Sequence, residues 1–116
     1  MGYETPLLDE VIEKKRQTRE ERRLRLVEKI LAALDGLSRE AAFEEAWLFG
    51  SVTKPFEFSK RSDIDIAFVG LDDRDFFRAM SYLSNAADCD VDVLQLEHHR
   101  LADKIKTGGI RWKRRE

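Results

Sequence analysis

The stretch Ser62-Asp63-Ile64-Asp65-Ile66-Ala67-Phe68-Val69-Gly70 decides how this chain is read. Positions 64–69 are rich in β-branched and aromatic residues, acids alternate with isoleucine at the start and a glycine closes the run, which is the pattern of a short strand. Side chains two apart on a strand share a face, so Asp63 and Asp65 project together with α-carbons roughly 6 to 7 Å apart. Upstream, Ala46-Trp47-Leu48-Phe49 is another brief apolar run, ending at Gly50-Ser51. Downstream, Asp90-Val91-Asp92-Val93-Leu94-Gln95-Leu96 alternates acid and valine before turning apolar, and reads as a further strand. The nineteen residues 71–89 are enough for a crossover helix. The second and third strands can therefore run parallel, with both acid pairs at one rim. A first strand antiparallel to the second brings Gly50-Ser51 to that same rim.

Helices are expected around this core. Thr5-Pro6 reads as an N-cap with proline at the first helical position, and Gly36 as a stop, with one long helix or two between them. Leu24, Val27, Ile30, Leu31 and Leu34 form an apolar stripe in the second half of that segment. Glu13 to Arg23 is nearly free of apolar residues and reads as a solvated helix laced with charge pairs, with a nucleic-acid arm as the alternative. Ser38 is placed to cap a short helix through about Glu45. Asp72 and Asp75 suggest a capping box opening a helix that buries Phe76, Phe77, Met80 and Leu83 and ends near Ala87. His98 to Lys106 is a candidate last helix, stopped by Gly108-Gly109, with Ile110-Arg111-Trp112 as a short edge strand and a frayed basic tail beyond it. The fold class is α/β (α+β), a small mixed sheet with helices packed on it. Residues 1–37 form an N-terminal helical extension and residues 38–116 the main domain.

With 116 residues, 42% of them hydrophobic, the chain is the size of one domain. Seven Phe and two Trp argue against disorder despite 38% charged residues. There is no long apolar run and no secretory signal pattern, so no membrane association and a cytoplasmic location are expected. Cys89 stands alone, which excludes an intrachain disulfide and a multi-cysteine zinc site. Trp47 and Trp112 read as packing residues, and His98 and His99 as surface residues. The net charge of −2 hides segregation: residues 63–97 hold nine acids and two bases, and residues 98–116 seven bases and two acids. Residues 13–29 add eight bases and four acids.

Carboxylates gathered at one rim raise each other's protonation constants and disfavour folding unless a cation joins them. Oxygen-only ligation suits Mg²⁺ or Mn²⁺ rather than zinc. These ions take up phosphate oxygens, so the chemistry suggested is phosphoryl or nucleotidyl transfer, and a two-metal arrangement places the ions about 3.5 to 4 Å apart. Gly50 lets the backbone approach a ligand closely, and Ser51 with the amides that follow can donate to phosphate oxygens.

In these residues the chain resembles the minimal nucleotidyltransferases of the DNA polymerase beta superfamily, whose motif is a hydrophobic run, Gly-Ser, about ten residues, and Asp-x-Asp. Here Leu48-Phe49-Gly50-Ser51 is followed, after eleven residues, by Asp63-Ile64-Asp65. Val91-Asp92-Val93 matches the family's third carboxylate, and the resemblance spans roughly residues 44–113. It implies the nucleotidyltransferase fold, with Asp63 and Asp65 ligating both metal ions and Asp92 binding the catalytic ion and helping to deprotonate the acceptor hydroxyl. Gly50 and Ser51 would hold the triphosphate of a nucleotide such as ATP. Thr53-Lys54-Pro55 stands where many members have Ala-Arg-Gly, leaving Lys54 as the candidate phosphate contact, with Lys60 and Arg61 as electrostatic support. Minimal members often act as antitoxins that adenylylate a HEPN-type partner, so the resemblance implies a protein acceptor.

Rival readings are narrower. A sugar-nucleotide glycosyltransferase needs a far larger α/β domain around its Asp-x-Asp, and a receiver-type acidic pocket needs five alternating strands. A non-catalytic module that docks a partner or nucleic acid beside a vestigial nucleotide site is the remaining alternative. The long N-terminal helix also offers a surface for self-association.

Overall fold

A computed structural model describes residues 6–58 and 63–114. Thr5, Lys60, Arg61 and the end of the basic tail lie outside the described residues. The apolar runs read from the sequence form the strands β1 (Glu45–Phe49), β2 (Ile64–Val69) and β3 (Val91–Gln95), and Ile110–Lys113 adds β4. The spatial order is β3-β2-β1-β4. β1 runs antiparallel to both β2 and β4, while β2 and β3 are parallel. The sheet is thus mixed, with helices α1 (Pro6–Leu37), α2 (Phe76–Ala87) and α3 (Ala102–Gly108) around it. No described helix is long and apolar enough to cross a membrane.

Alternation along the strands divides the apolar residues between two faces. Ala46, Leu48, Ile64, Ile66, Phe68, Val91 and Val93 turn to the main core, where they meet α2 and the C-terminal half of α1. Ala67, Leu94 and Trp47 turn to the opposite face and form a smaller cluster with Leu96 and Ile105, the latter from α3. Phe43 stands edge-on to Phe68 at 4.9 Å between ring centroids.

Several local expectations change in three dimensions. The stripe on α1 is Leu26, Val27, Ile30, Ala33, Leu34 and Leu37, with Leu31 partly buried, whereas Leu24 is exposed because the helical turn carries it off the face. α1 is one continuous helix that runs through Gly36. A β-carbon there would collide with the Tyr82 hydroxyl, so glycine leaves room for that side chain from α2. Ser38 starts no helix: its hydroxyl donates to the Asp35 carbonyl at 2.6 Å, closing α1, and turns lead from there toward β1. Asp72 and Asp75 form no capping box, because the Asp72 carboxylate accepts from the Arg74 amide at 2.9 Å and a 3₁₀ turn, Asp73–Asp75, intervenes before α2. Phe77 is 77% exposed, while Ala79, Leu83 and Ala87 face inward with Phe76 and Met80 partly covered. After β3 the chain makes turns, with His98 at a φ of 64°, and α3 starts only at Ala102. Trp112 is a packing residue whose Nε1 donates to Asp35 at 2.9 Å, tying β4 to the end of α1.

Candidate active site

Strand register brings the chemistry-bearing residues side by side. Phe49 lies opposite Asp65 across β1 and β2, and Asp65 lies beside Asp92 across β2 and β3. Adjacent strands are about 4.8 Å apart, so the two carboxylates are neighbours on the face shared with Ala67 and Leu94. Asp63 is exposed immediately before β2, and Asp90 is exposed immediately before β3. The Asp90 carbonyl accepts from the Ile64 amide at 3.0 Å, fixing the common start of the parallel pair.

The neighbouring acids act on Asp65 electrostatically. Asp65 has its carboxyl raised above the usual aspartate range, first by partial burial, then by the negative charges of Asp92 and Asp63. Cys89, half-buried next to this rim, has its thiol pushed up by burial and by Asp90, Asp63 and Asp88. The local field is therefore strongly negative and favours an incoming cation.

The Gly-Ser turn touches the same group. Gly50 has a φ of +76°, and a β-carbon there would lie 2.6 Å from the Asp65 carboxylate. Gly50–Thr53 then forms a 3₁₀ turn in which Val52 is buried and Thr53 donates to the Gly50 carbonyl at 2.7 Å. Lys54 is exposed, its Nζ 3.9 Å from Glu57. Beyond Gly50 opens a cleft of about 530 Å³ whose lining includes Phe49, Gly50, Thr53, Lys54, Lys104 and Gly108. That volume is in the range of small-ligand sites, and it carries a lysine from the loop and another from α3.

The family profile described as polymerase beta, nucleotidyltransferase matches residues 28–115, spanning the sheet, the Gly-Ser turn and all three acids. This chain belongs to that family. The nucleotidyltransferase domain also has solved structural counterparts. A crystal structure of a toxin-antitoxin with AMP-PNP is similar with a TM-score of 0.59 and 27% identity, covering 73% of this chain and 74% of that one. A Sulfolobus solfataricus protein described as a nucleotidyltransferase gives a TM-score of 0.51 and 26% identity over 81% of this chain and 86% of that one. No curated protein sequence is significantly similar to the chain.

The donor set of this nucleotidyltransferase domain fits a hard divalent ion. Asp65 and Asp92 supply only oxygen, and their mutual repulsion is the kind that a cation relieves. Among the described residues no three His, Cys, Asp or Glu side chains close on a common point. An open carboxylate pair suits Mg²⁺, which keeps water and takes up substrate phosphates instead of filling a protein cage.

One group at the site escapes a reading of the sequence. Arg23 of α1 is not solvated but buried, and it is the one buried charged side chain among the described residues. Its Nη1 donates to the Val52 carbonyl at 2.9 Å, and its Nε donates to Glu20 at 2.6 Å. The other Glu20 oxygen accepts from the Phe56 amide at 2.6 Å, and the Arg16 guanidinium sits 4.5 Å over the Phe56 ring. The signal in the sequence is positional: residues 20, 23, 27, 30 and 34 share one helical face, so the apolar stripe continues into a charged pair.

Proposed function

We propose that this protein moves a nucleoside monophosphate, AMP from ATP, onto a hydroxyl of a partner protein, that the partner is a HEPN-type toxin, and that the chain serves as its antitoxin. The observation that carries the reading is the in-register neighbourhood of Asp65 and Asp92 beside Gly50. The likeness to a toxin-antitoxin structure determined with AMP-PNP supports both the nucleotide and the kind of partner.

In this reading Ser51 and the amides of the 3₁₀ turn hold the triphosphate, and Lys54 adds a positive charge toward its phosphates. Asp63, Asp65 and Asp92 would hold Mg²⁺ or Mn²⁺, which supplies charge neutralisation at the reacting phosphate. Asp92 takes the proton of the acceptor hydroxyl. The hydroxyl oxygen forms a bond to the α-phosphorus, the bond from that phosphorus to the bridging oxygen breaks, and pyrophosphate leaves with the electron pair. The rim lies open on the α3 face of the sheet, which suits a macromolecular acceptor.

Incubation with labelled ATP and Mg²⁺, with and without a co-encoded partner, tests this. Label is expected on the partner with the native chain and not with the Asp63→Ala, Asp65→Ala double variant. If the native chain transfers nothing and both forms bind the partner equally, the protein is a docking module instead.

A further inference from the structure

We propose that Glu20 and Arg23 are positioning residues for the phosphate-binding loop: α1, through them, holds residues 52–56 in the shape that receives the nucleotide. The inference rests on the nucleotidyl-transfer reading of the site and adds to it a part of the chain that the Gly-Ser and Asp-x-Asp motifs do not include.

The contacts reach both ends of one short segment. Arg23 grips its start through the Val52 carbonyl, and Glu20 grips its end through the Phe56 amide. Between them stand Thr53, Lys54 and Pro55, which line the cleft beside Gly50. Pro55 has no amide to donate and Phe56 has a φ of 65°, a left-handed conformation that costs a bulky residue energy. Internal bonds such as Thr53 to the Gly50 carbonyl and the Lys54 amide to the Ser51 carbonyl close the turn, and the ties from α1 are what oppose the strain at Phe56. Arg16 over the Phe56 ring is a further tie from the same helix.

Stability alone does not call for charge at this position. A buried guanidinium is costly unless it is paired, and apolar replacements of buried ion pairs are often neutral or stabilising. What the pair provides is direction, because the planar fork of Arg23 points at the Val52 carbonyl and Glu20 at once. The Glu20 carboxyl is held below its usual range, first by its hydrogen bond from Arg23, then by the Phe56 amide and the Arg23 charge, so it stays an acceptor at neutral pH.

The experiment measures Mg²⁺-ATP affinity and transfer kinetics, together with amide exchange at Phe56, in the native chain and in Glu20→Ala, Glu20→Gln and Arg23→Met. For Glu20→Ala the KM for ATP is expected to rise about tenfold, equivalent to about 1.4 kcal/mol, with kcat at saturating ATP retained and exchange at Phe56 accelerated. Glu20→Gln, whose one oxygen can accept from the Phe56 amide only by turning its NH2 toward Arg23, is expected to recover part of the affinity and to slow the Phe56 exchange relative to Glu20→Ala. Should Arg23→Met fail to fold, the two Glu20 variants decide the matter. An active native chain with Glu20→Ala equal to it in KM overturns the positioning role and leaves the transfer reading standing. A fall in kcat that follows only the loss of folded protein, with KM unchanged, also overturns it. A native chain that binds no Mg²⁺-ATP overturns the transfer reading and the positioning role with it.

Discussion

Asp65→Asn is expected to lower nucleotidyl transfer on the order of a thousandfold while making the protein without metal more stable. The opposite signs have one cause. Asp65 is raised above its ordinary range by burial and by the charges of Asp92 and Asp63, so the folded chain binds its proton more tightly than the unfolded chain does. Stability from this group is full below the unfolded aspartate value and is lost as pH rises through the raised folded value. At neutral pH the ionised carboxylate therefore works against the fold, and asparagine removes that repulsion. Thermal unfolding at neutral pH should show a rise of a few degrees for the variant. The difference should vanish toward low pH, where native Asp65 is itself neutral. Added Mg²⁺ should stabilise the native chain increasingly as pH rises past the Asp65 range and should have little effect on the variant. A variant with native transfer and an unchanged response to Mg²⁺ would remove Asp65 from the site.

Gly50→Ala is expected to be the most damaging small substitution outside the acids. The left-handed backbone there costs an L-residue roughly 1–2 kcal/mol, which urea unfolding would record. The added β-carbon would also fall 2.6 Å from the Asp65 carboxylate, which has to rotate away. A displacement on the order of 1 Å at a reacting group can cost about a hundredfold in rate. Transfer should therefore fall much further than the loss of folded protein explains. Equal losses in stability and activity would show that Gly50 serves the turn alone.

The strands were legible because their evidence is local. β2 is the run Ile64–Val69 as read, the parallel pairing of β2 and β3 follows from connection length, the antiparallel pairing of β1 with β2 is the arrangement that brings Gly50 to the rim, and the edge strand after Gly109 is present. The gathering of Asp65 and Asp92 came from period-two alternation plus that topology. The errors arose where a local signal had a competing tertiary partner. Phe77 looked like a core residue by spacing, yet it stands about 100° round the helix from Phe76, off the face that Phe76, Met80 and Leu83 set, and is left in solvent. Ser38 had the side chain of an N-cap but completes the preceding helix instead. Arg23 and Glu20 were hardest to read, because an i,i+3 charge pair looks the same on a solvated face as on one that closes over a loop 29 to 36 residues away.

The most direct measurement is an electron paramagnetic resonance titration of Mn²⁺ with a non-hydrolysable ATP analogue, on the native chain and on Asp65→Asn with Asp92→Asn. Tight, nucleotide-dependent Mn²⁺ binding in the native chain, lost in the double variant, is the expected result. Binding that persists unchanged in the double variant, or a native chain that holds neither ion nor nucleotide, would contradict the assignment of this rim as a metal and polyphosphate site.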